Sequence, residues 1–199
     1  MKRFPILIPC LLLVFLAPVH AYKIRYAEQF YRLYHLHTYR NSDNTMENIY
    51  WLERALEADF CNPLYALARI ENRDQWRHYR TLFKMHVNLK LVEEYRMLGR
   101  RYDKQSAYFF NAPWKESNLD SLDTAEQMYR IALVYWDQAV AWAKRLRASP
   151  HHLEEIQRWE DEQHRIQTGD LDYRDIVQAD LKRLGRVREA FREMDADTY

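Results

Sequence analysis

Histidine and carboxylate residues are the side chains of this sequence that could bind a metal ion. His152 and Glu155 stand three positions apart, as do Asp161 and His164, so each pair lies on one face of a helix. A second helix or helix turn would have to complete the coordination of any metal ion. The sequence contains no His-Glu-x-x-His motif and no paired cysteines. Ion pairing on solvated helices explains these residues, and we predict no metal and no cofactor.

Carboxylates could also cleave glycosidic bonds, a reaction that needs acidic side chains in a cleft. Glu47 and Glu116 are the candidates, but neither lies in a catalytic motif. There is no nucleophile elbow and no glycine-rich phosphate loop. We therefore predict that the protein is not an enzyme. A helical envelope glycan-cleaving enzyme and a small-ligand-binding protein with an aromatic pocket are the alternatives.

The aromatic residues, 15 Tyr, 8 Phe and 6 Trp, are the more useful functional signal. Seven of them lie off or at the margins of the apolar helix faces, and we predict that they bind a protein partner: Tyr31, Tyr34, Tyr50, Trp51, Trp76, Tyr79 and Trp142. Exposed Tyr and Trp rings, with Arg beside them, are enriched at protein interfaces. The alternative is that adjacent layers of helices bury these rings.

The N-terminal stretch has the pattern of a secretory signal peptide. Lys2 and Arg3 precede an uncharged apolar run over 4–16, and Ala21 is a small residue where signal peptidase would cleave. The run is shorter than the about 20 residues that span a bilayer. We predict that 1–21 is removed, that no membrane span is left, and that the protein is periplasmic or secreted; a retained anchor is the alternative.

Cleavage would leave a chain of almost balanced charge. It removes two of the 30 basic residues and none of the 29 acidic ones. A nucleic-acid-binding protein relies on many uncompensated Lys and Arg side chains, so this balance argues against that class. The partner that we predict is therefore a protein, and a homo-oligomer is left open.

A single cysteine, Cys61, follows the predicted leader. An exported chain with one thiol forms no internal disulfide, so helix packing must supply its stability. We predict that Cys61 is a small buried apolar residue. A disulfide to another chain is the alternative.

The clearest element is a helix over 121–147. Its small and aromatic residues recur at three- and four-residue steps and define one face: Ala125, Tyr129, Ala132, Trp136, Ala139, Ala143 and Leu146. Small residues let a second helix approach, whereas Tyr129 and Trp136 need holes in that neighbour. With only 3 Gly and no period-two pattern, the sequence predicts an all-α fold of antiparallel helix pairs, either a solenoid or an irregular helical bundle.

We predict a helical domain over 22–168 and a C-terminal helical arm over 169–199, with the boundary at Gly169, which should end the preceding helix. We place the remaining helices at 23–39, 45–59, 63–70, 74–98, 100–110, 150–167 and 172–194, with a loop over 111–120. Gly99 should interrupt or end the long fourth helix. The last helix has a narrow apolar face, so we expect a coiled or docking arm that extends beyond the main body.

Two parts of the chain resemble the second helix of a tetratricopeptide repeat. Ala125-x3-Tyr129-x2-Ala132-Leu133 fits that family's order of alanine, aromatic, alanine and aliphatic, and Leu52-x2-Ala55-Leu56 matches less completely. Lys90, midway between them, stands where a regular array would need alanine. The resemblance implies a protein-binding scaffold or adaptor without enzymatic activity. By analogy it would help to assemble an envelope or periplasmic complex, such as a flagellar motor or transport complex.

Overall fold

The structure, a computed structural model, describes residues 23–104, 111–146 and 152–198. Within these ranges the chain forms six α-helices and no strand, which confirms the all-α fold class: α1 (Ala27–Arg40), α2 (Thr45–Glu57), α3 (Arg73–Tyr102), α4 (Lys115–Arg145), α5 (Gln157–Thr168) and α6 (Tyr173–Glu193). Short 3-10 turns lie at Pro63–Tyr65, Ala112–Trp114 and Glu154–Ile156. The predicted signal peptide at 1–21, the end of the 100–110 helix and the predicted helix start at 150 lie outside the described residues.

Helix α3 is the centre of the molecule. It packs against α4 along much of its length, and it also contacts α2 and α5, while α1 pairs with α2. Every residue from Met85 to Val92 is buried, including His86, Asn88 and Lys90. This middle segment is surrounded by neighbours and has no solvent face, so it shows little amphipathic periodicity, whereas both ends of α3 include exposed residues. Buried polar side chains on α3 must therefore find partners on the surrounding helices.

The predicted apolar face of α4 is confirmed. Its alanines at 125, 132, 139 and 143 are fully buried, and so is Tyr129. The space for the Tyr129 ring is created by Gly99 of α3, which has no side chain. A Cβ added there would lie 2.7 Å from the tyrosine ring. Gly99 lies inside α3, which continues to Tyr102, so the predicted helix end at 98–99 is wrong. Because Gly99 has no Cβ, the ring of Tyr129 can lie against its backbone. The residues on either side keep the helical conformation, so α3 continues through the glycine.

Other boundaries differ from prediction at places where a local turn competes with a helix. The segment predicted as a helix over 63–70 forms only the 3-10 turn Pro63–Tyr65. Helix α4 begins at Lys115, inside the stretch predicted as a loop. The predicted caps hold: the Asn44 side chain accepts from the amide of Glu47, and Gly169 ends α5 in the left-handed region with φ of 82°.

The C-terminal helix α6 packs along α4, although its narrow apolar face predicted an arm extending from the main body. Val177, Leu184 and Phe191 are buried at the contact. Ion pairs flank this apolar line, including one between Arg188 and Asp123 at 2.8 Å. A narrow stripe was sufficient because charged side chains complete the contact with α4. No helix among the described residues is long and apolar enough to cross a membrane.

Candidate functional site

Three of the seven predicted binding aromatics lie in the core. Tyr31, Tyr34 and Tyr79 are each at most 6 % exposed. For these three the structure realises the alternative of burial. Tyr31 and Tyr79 both lie against the ring of Trp159 on α5, and Tyr34 donates to Glu94 of α3. Burial raises the pKa of all three phenols, so each stays protonated and acts as a hydrogen-bond donor.

The other four predicted aromatics lie nearer the surface but on three different helices. Tyr50 is exposed, while Trp51, Trp76 and Trp142 are half-buried. Trp51 stacks on Phe30 with ring centroids 6.3 Å apart, and Trp76 stacks on Tyr79 at 5.3 Å. These two tryptophans are therefore edges of the core. Trp142 is different, since two cations lie over the face of its ring.

A buried polar chain in the described core joins α1, α3 and α5. Tyr31 Oη lies 2.7 Å from His86 Nε2, and His86 Nδ1 is hydrogen-bonded to the carboxylate of Glu162. The carboxylate fixes the proton on Nδ1, which leaves Nε2 free to accept from the phenol. Trp159 stacks on the imidazole at 4.9 Å. Burial lowers the pKa of His86, so the ring is neutral, and this sealed chain joins three helices.

A second polar network connects α1 and α2 with α3. Tyr34 and Asn48 both donate to the carboxylate of Glu94 at 3.3 Å, and burial raises the pKa of Glu94. A perturbed carboxylate in a cleft would favour the enzymatic alternative. Glu94 is 2 % exposed, however, and its partners enclose it. A glycan could not reach this carboxylate, so the network orders the core.

The acids proposed for the enzymatic alternative do not come together. Glu47 lies 3.0 Å from His37 on the α1–α2 pair, and Glu116 is exposed in the first turn of α4. Of the metal-binding candidates, His152 pairs with Glu160. Among the residues that the structure describes, no three His, Cys, Asp or Glu side chains form a group that could hold a metal ion.

Cys61 is buried, as the sequence predicted. Its amide donates to Glu28 Oε2 at 2.9 Å, and Glu28 is itself 2 % exposed. Burial, with the adjacent Glu28 carboxylate, raises the pKa of the Cys61 thiol to about 12. A buried and protonated thiol is a poor nucleophile, so Cys61 is packed as a small apolar residue.

A surface groove between α3 and α4 combines chemistry for binding with access from solvent. Its volume is about 260 Å³, and its lining residues, together with Arg145 at the rim, are here called the basic groove: Arg77, Arg80, Thr81, Lys84, Trp142 and Arg145. Lys84 Nζ lies 4.8 Å from the centroid of the Trp142 ring, and Arg145 Cζ lies 4.4 Å from it. Two cations from different helices thus converge on one indole.

The charge of the basic groove is only partly compensated. Arg77 pairs with Asp74, but Arg80, Lys84 and Arg145 form no ion pair with any carboxylate of the described residues. The undescribed residues of the chain include no Asp or Glu. Burial and then the charges of Arg80 and Arg145 lower the pKa of Lys84. The basic groove is therefore a region of locally positive charge on the surface of the described chain.

Sequence reasoning found Trp142 but missed the cations around it. Arg77, Arg80 and Lys84 follow one another by three and four positions, so they share a face of α3. No acidic residue lies within four positions of Arg80 or Lys84, and this local lack of carboxylates was the available signal. Arg145, three positions after Trp142 on α4, could also have been placed beside that ring, whereas only the packing of α4 on α3 brings Arg80 and Lys84 there.

The fold and the basic groove define an all-α helical protein with a cationic, aromatic surface site. The chain belongs to the family described as a domain of unknown function, DUF8513, whose model matches residues 74–194. The match begins in the first turn of α3 and ends just after α6, so all residues of the basic groove lie inside it. No curated protein and no solved structure matches the chain.

Proposed function

We propose that this protein is an exported, non-enzymatic helical adaptor that binds another protein through the basic groove and so helps to assemble an envelope complex. The observation that carries the proposal is the convergence of Lys84 and Arg145 on Trp142 without an acidic partner in the described chain. Tryptophan and arginine are the residue types that dominate binding energy at protein interfaces. The leader pattern over 1–21 supports export.

The interior of the bundle supports the same proposal, because its polar side chains are used for stability. The chain Tyr31–His86–Glu162 and the carboxylate of Glu94 resemble catalytic groups in their composition, but they are enclosed by the helices. A rigid core lets the helices present a surface with fixed spacing. Binding through such a preformed surface costs little ordering entropy.

Site-specific photocrosslinking in the native cell tests the proposal. Benzoylphenylalanine would replace Thr81, which lines the basic groove, and in a matched variant it would replace Gln127. Gln127 is exposed on α4, 15 positions from Trp142 and thus about 22 Å away along the helix axis. We expect a defined adduct with one other protein from position 81 and none from position 127.

Three results would contradict the proposal. Equal adducts from both positions would show random collisions, and an adduct of two copies of this chain would show self-association. Failure to crosslink at position 81 in a protein that melts like the wild type would remove the basic groove as the binding surface.

A further inference from the structure

We propose that the basic groove recognises an acidic segment of the partner protein, whose carboxylate side chains lie between Arg80, Lys84 and Arg145. This inference rests on the proposed function and names the chemistry of the partner. It begins from the positions of the cations: Arg80 and Lys84 stand four residues apart on one face of α3, and Arg145 reaches the same place from the last turn of α4.

Elsewhere on the helices, arginines that lie at helix contacts pair with carboxylates. Arg96 lies 2.7 Å from Asp180, and Arg188 lies 2.8 Å from Asp123 and 2.7 Å from Glu126. The chain thus uses acids to compensate arginines where two helices meet. The basic groove departs from this pattern at the contact of α3 with α4. The compensating charge is therefore expected from outside the described chain.

Repulsion within the basic groove favours an anionic occupant. Lys84 is half-buried, and burial, followed by the charges of Arg80 and Arg145, lowers its pKa. A bound carboxylate would reverse this effect, because an opposite charge stabilises the ammonium form. Arg80 is already oriented, since its guanidinium carbon lies 4.9 Å from the centroid of the Phe60 ring. Stacking reduces the entropy that a guanidinium loses when it binds a carboxylate in a bidentate manner.

The size of the groove favours a side chain over a cofactor. Its volume of about 260 Å³ is below the range of roughly 300–1,000 Å³ that is typical of pockets for drug-sized ligands. Nucleic acid would require a longer track of cations, and the nearly balanced charge of the chain does not provide one. An acidic peptide segment fits both the charge and the dimensions.

Fluorescence anisotropy with a defined probe tests the inference on the purified protein. The probe is a fluorescein-labelled hexaglutamate peptide, and a hexaglutamine peptide is its neutral counterpart. We expect the acidic peptide to bind at low salt and the neutral one to bind at least about tenfold more weakly. Binding should weaken as the salt concentration rises, because the contacts are between charges.

Matched variants show whether the basic groove is the site. Lys84→Met and Arg145→Met should each weaken hexaglutamate binding at least about tenfold. Lys144→Met removes one charge from the same exposed turn of α4 but lies outside the groove, so we expect less than about a twofold change. Lys84→Arg keeps the charge and should retain binding. Thermal melting of each variant separates loss of binding from loss of folding.

Several outcomes would overturn the inference. Equal weakening by Lys144→Met would show general charge attraction. Tighter binding of inorganic phosphate than of hexaglutamate would indicate a phosphate site, and binding to phosphatidylglycerol vesicles that Lys84→Met abolishes would indicate a membrane surface. Together with the crosslinking experiment, the peptide assay distinguishes failure of this inference from failure of the proposed function. If hexaglutamate does not bind while position 81 still crosslinks to a protein, the inference that the partner is acidic is wrong and the adaptor proposal stands. If hexaglutamate binds and position 81 gives no adduct, the adaptor proposal fails instead.

Discussion

The ring of Tyr129 on α4 lies directly against the backbone of Gly99 on α3, so that a Cβ at position 99 would be 2.7 Å from Tyr129 Cε1. The ring cannot easily move away. Tyr129 is fully buried, and its hydroxyl donates to Asp103 Oδ2 at 2.6 Å. This contact fixes the register of the two longest helices, and it places Lys84 opposite Trp142 some four turns away along α3.

Replacement of Gly99 by alanine should destabilise the fold despite the higher helix propensity of alanine. The steric clash with Tyr129 should cost about 1–3 kcal/mol, and the gain in propensity offsets about 1 kcal/mol of that. Gly185 provides the control, because it also lies inside a helix and nothing lies within 4 Å of an added Cβ. Gly185→Ala should stabilise by up to about 1 kcal/mol. Urea unfolding measures both, and stabilisation by Gly99→Ala would show that Tyr129 can shift.

Loss of Arg183 should be severe, since it pairs with a fully buried carboxylate. Arg183 Nη2 is hydrogen-bonded to Asp103, which is 0 % exposed. Arg183→Met would remove the cationic partner of this buried carboxylate, and we expect a loss of about 3 kcal/mol. Arg192→Met removes an exposed pair with Glu189 and should cost less than about 0.5 kcal/mol. Similar free energies of unfolding for the two variants would refute the buried role of Asp103.

The stability of the protein should fall as the pH falls below about 6.5. Burial lowers the pKa of His86 in the folded chain from the ordinary value of 6.5. In the window between the two values the unfolded chain binds a proton that the native state does not, so stability present above 6.5 is lost on acidification. Glu94, whose pKa is raised from 4.5, opposes this trend.

The variant His86→Gln isolates the contribution of His86 from those of Glu94 and of His35, whose pKa burial also lowers. The difference in the free energy of unfolding between wild type and His86→Gln should shrink as the pH falls from 7.5 to 5. His164→Gln, an exposed substitution on α5, should track the wild type over the same range. Urea titrations at four pH values measure the differences. A constant difference between wild type and His86→Gln would mean that His86 is protonated equally in both states.

The thiol of Cys61 should react slowly in the native protein. Its pKa is raised to about 12 and its side chain is buried, so at pH 8 little accessible thiolate is present. In a Cys10→Ser background, we expect modification by a disulfide reagent to be at least about 100-fold slower than in urea. A cysteine placed at the exposed position Gln178 should react almost equally fast under both conditions. Rapid native labelling of Cys61 would contradict its burial and would make a disulfide to another chain accessible.

The sequence by itself determined the fold class, the helix α4 and the main caps. The buried face of α4 was readable because small and aromatic residues recur with the helical period, and Gly169 and Asn44 have conformational preferences that act over a few residues. The burial of Cys61 was likewise predicted from its residue type and its lack of a partner. These features depend on residue types and on residues a few positions away in the chain, and both can be read from the sequence.

Only the tertiary structure decided which polar and aromatic side chains are enclosed and which are available. The middle of α3 is surrounded, so the periodicity of the helix is weak. Tyr31 and Tyr79 are buried beside Trp159 of α5, which no local pattern could assign to them. The clash that makes Gly99 a packing site, and the convergence of Arg145 with Lys84, both depend on the register of α3 against α4. Such contacts join residues far apart in the sequence, and their geometry follows from packing against a second helix.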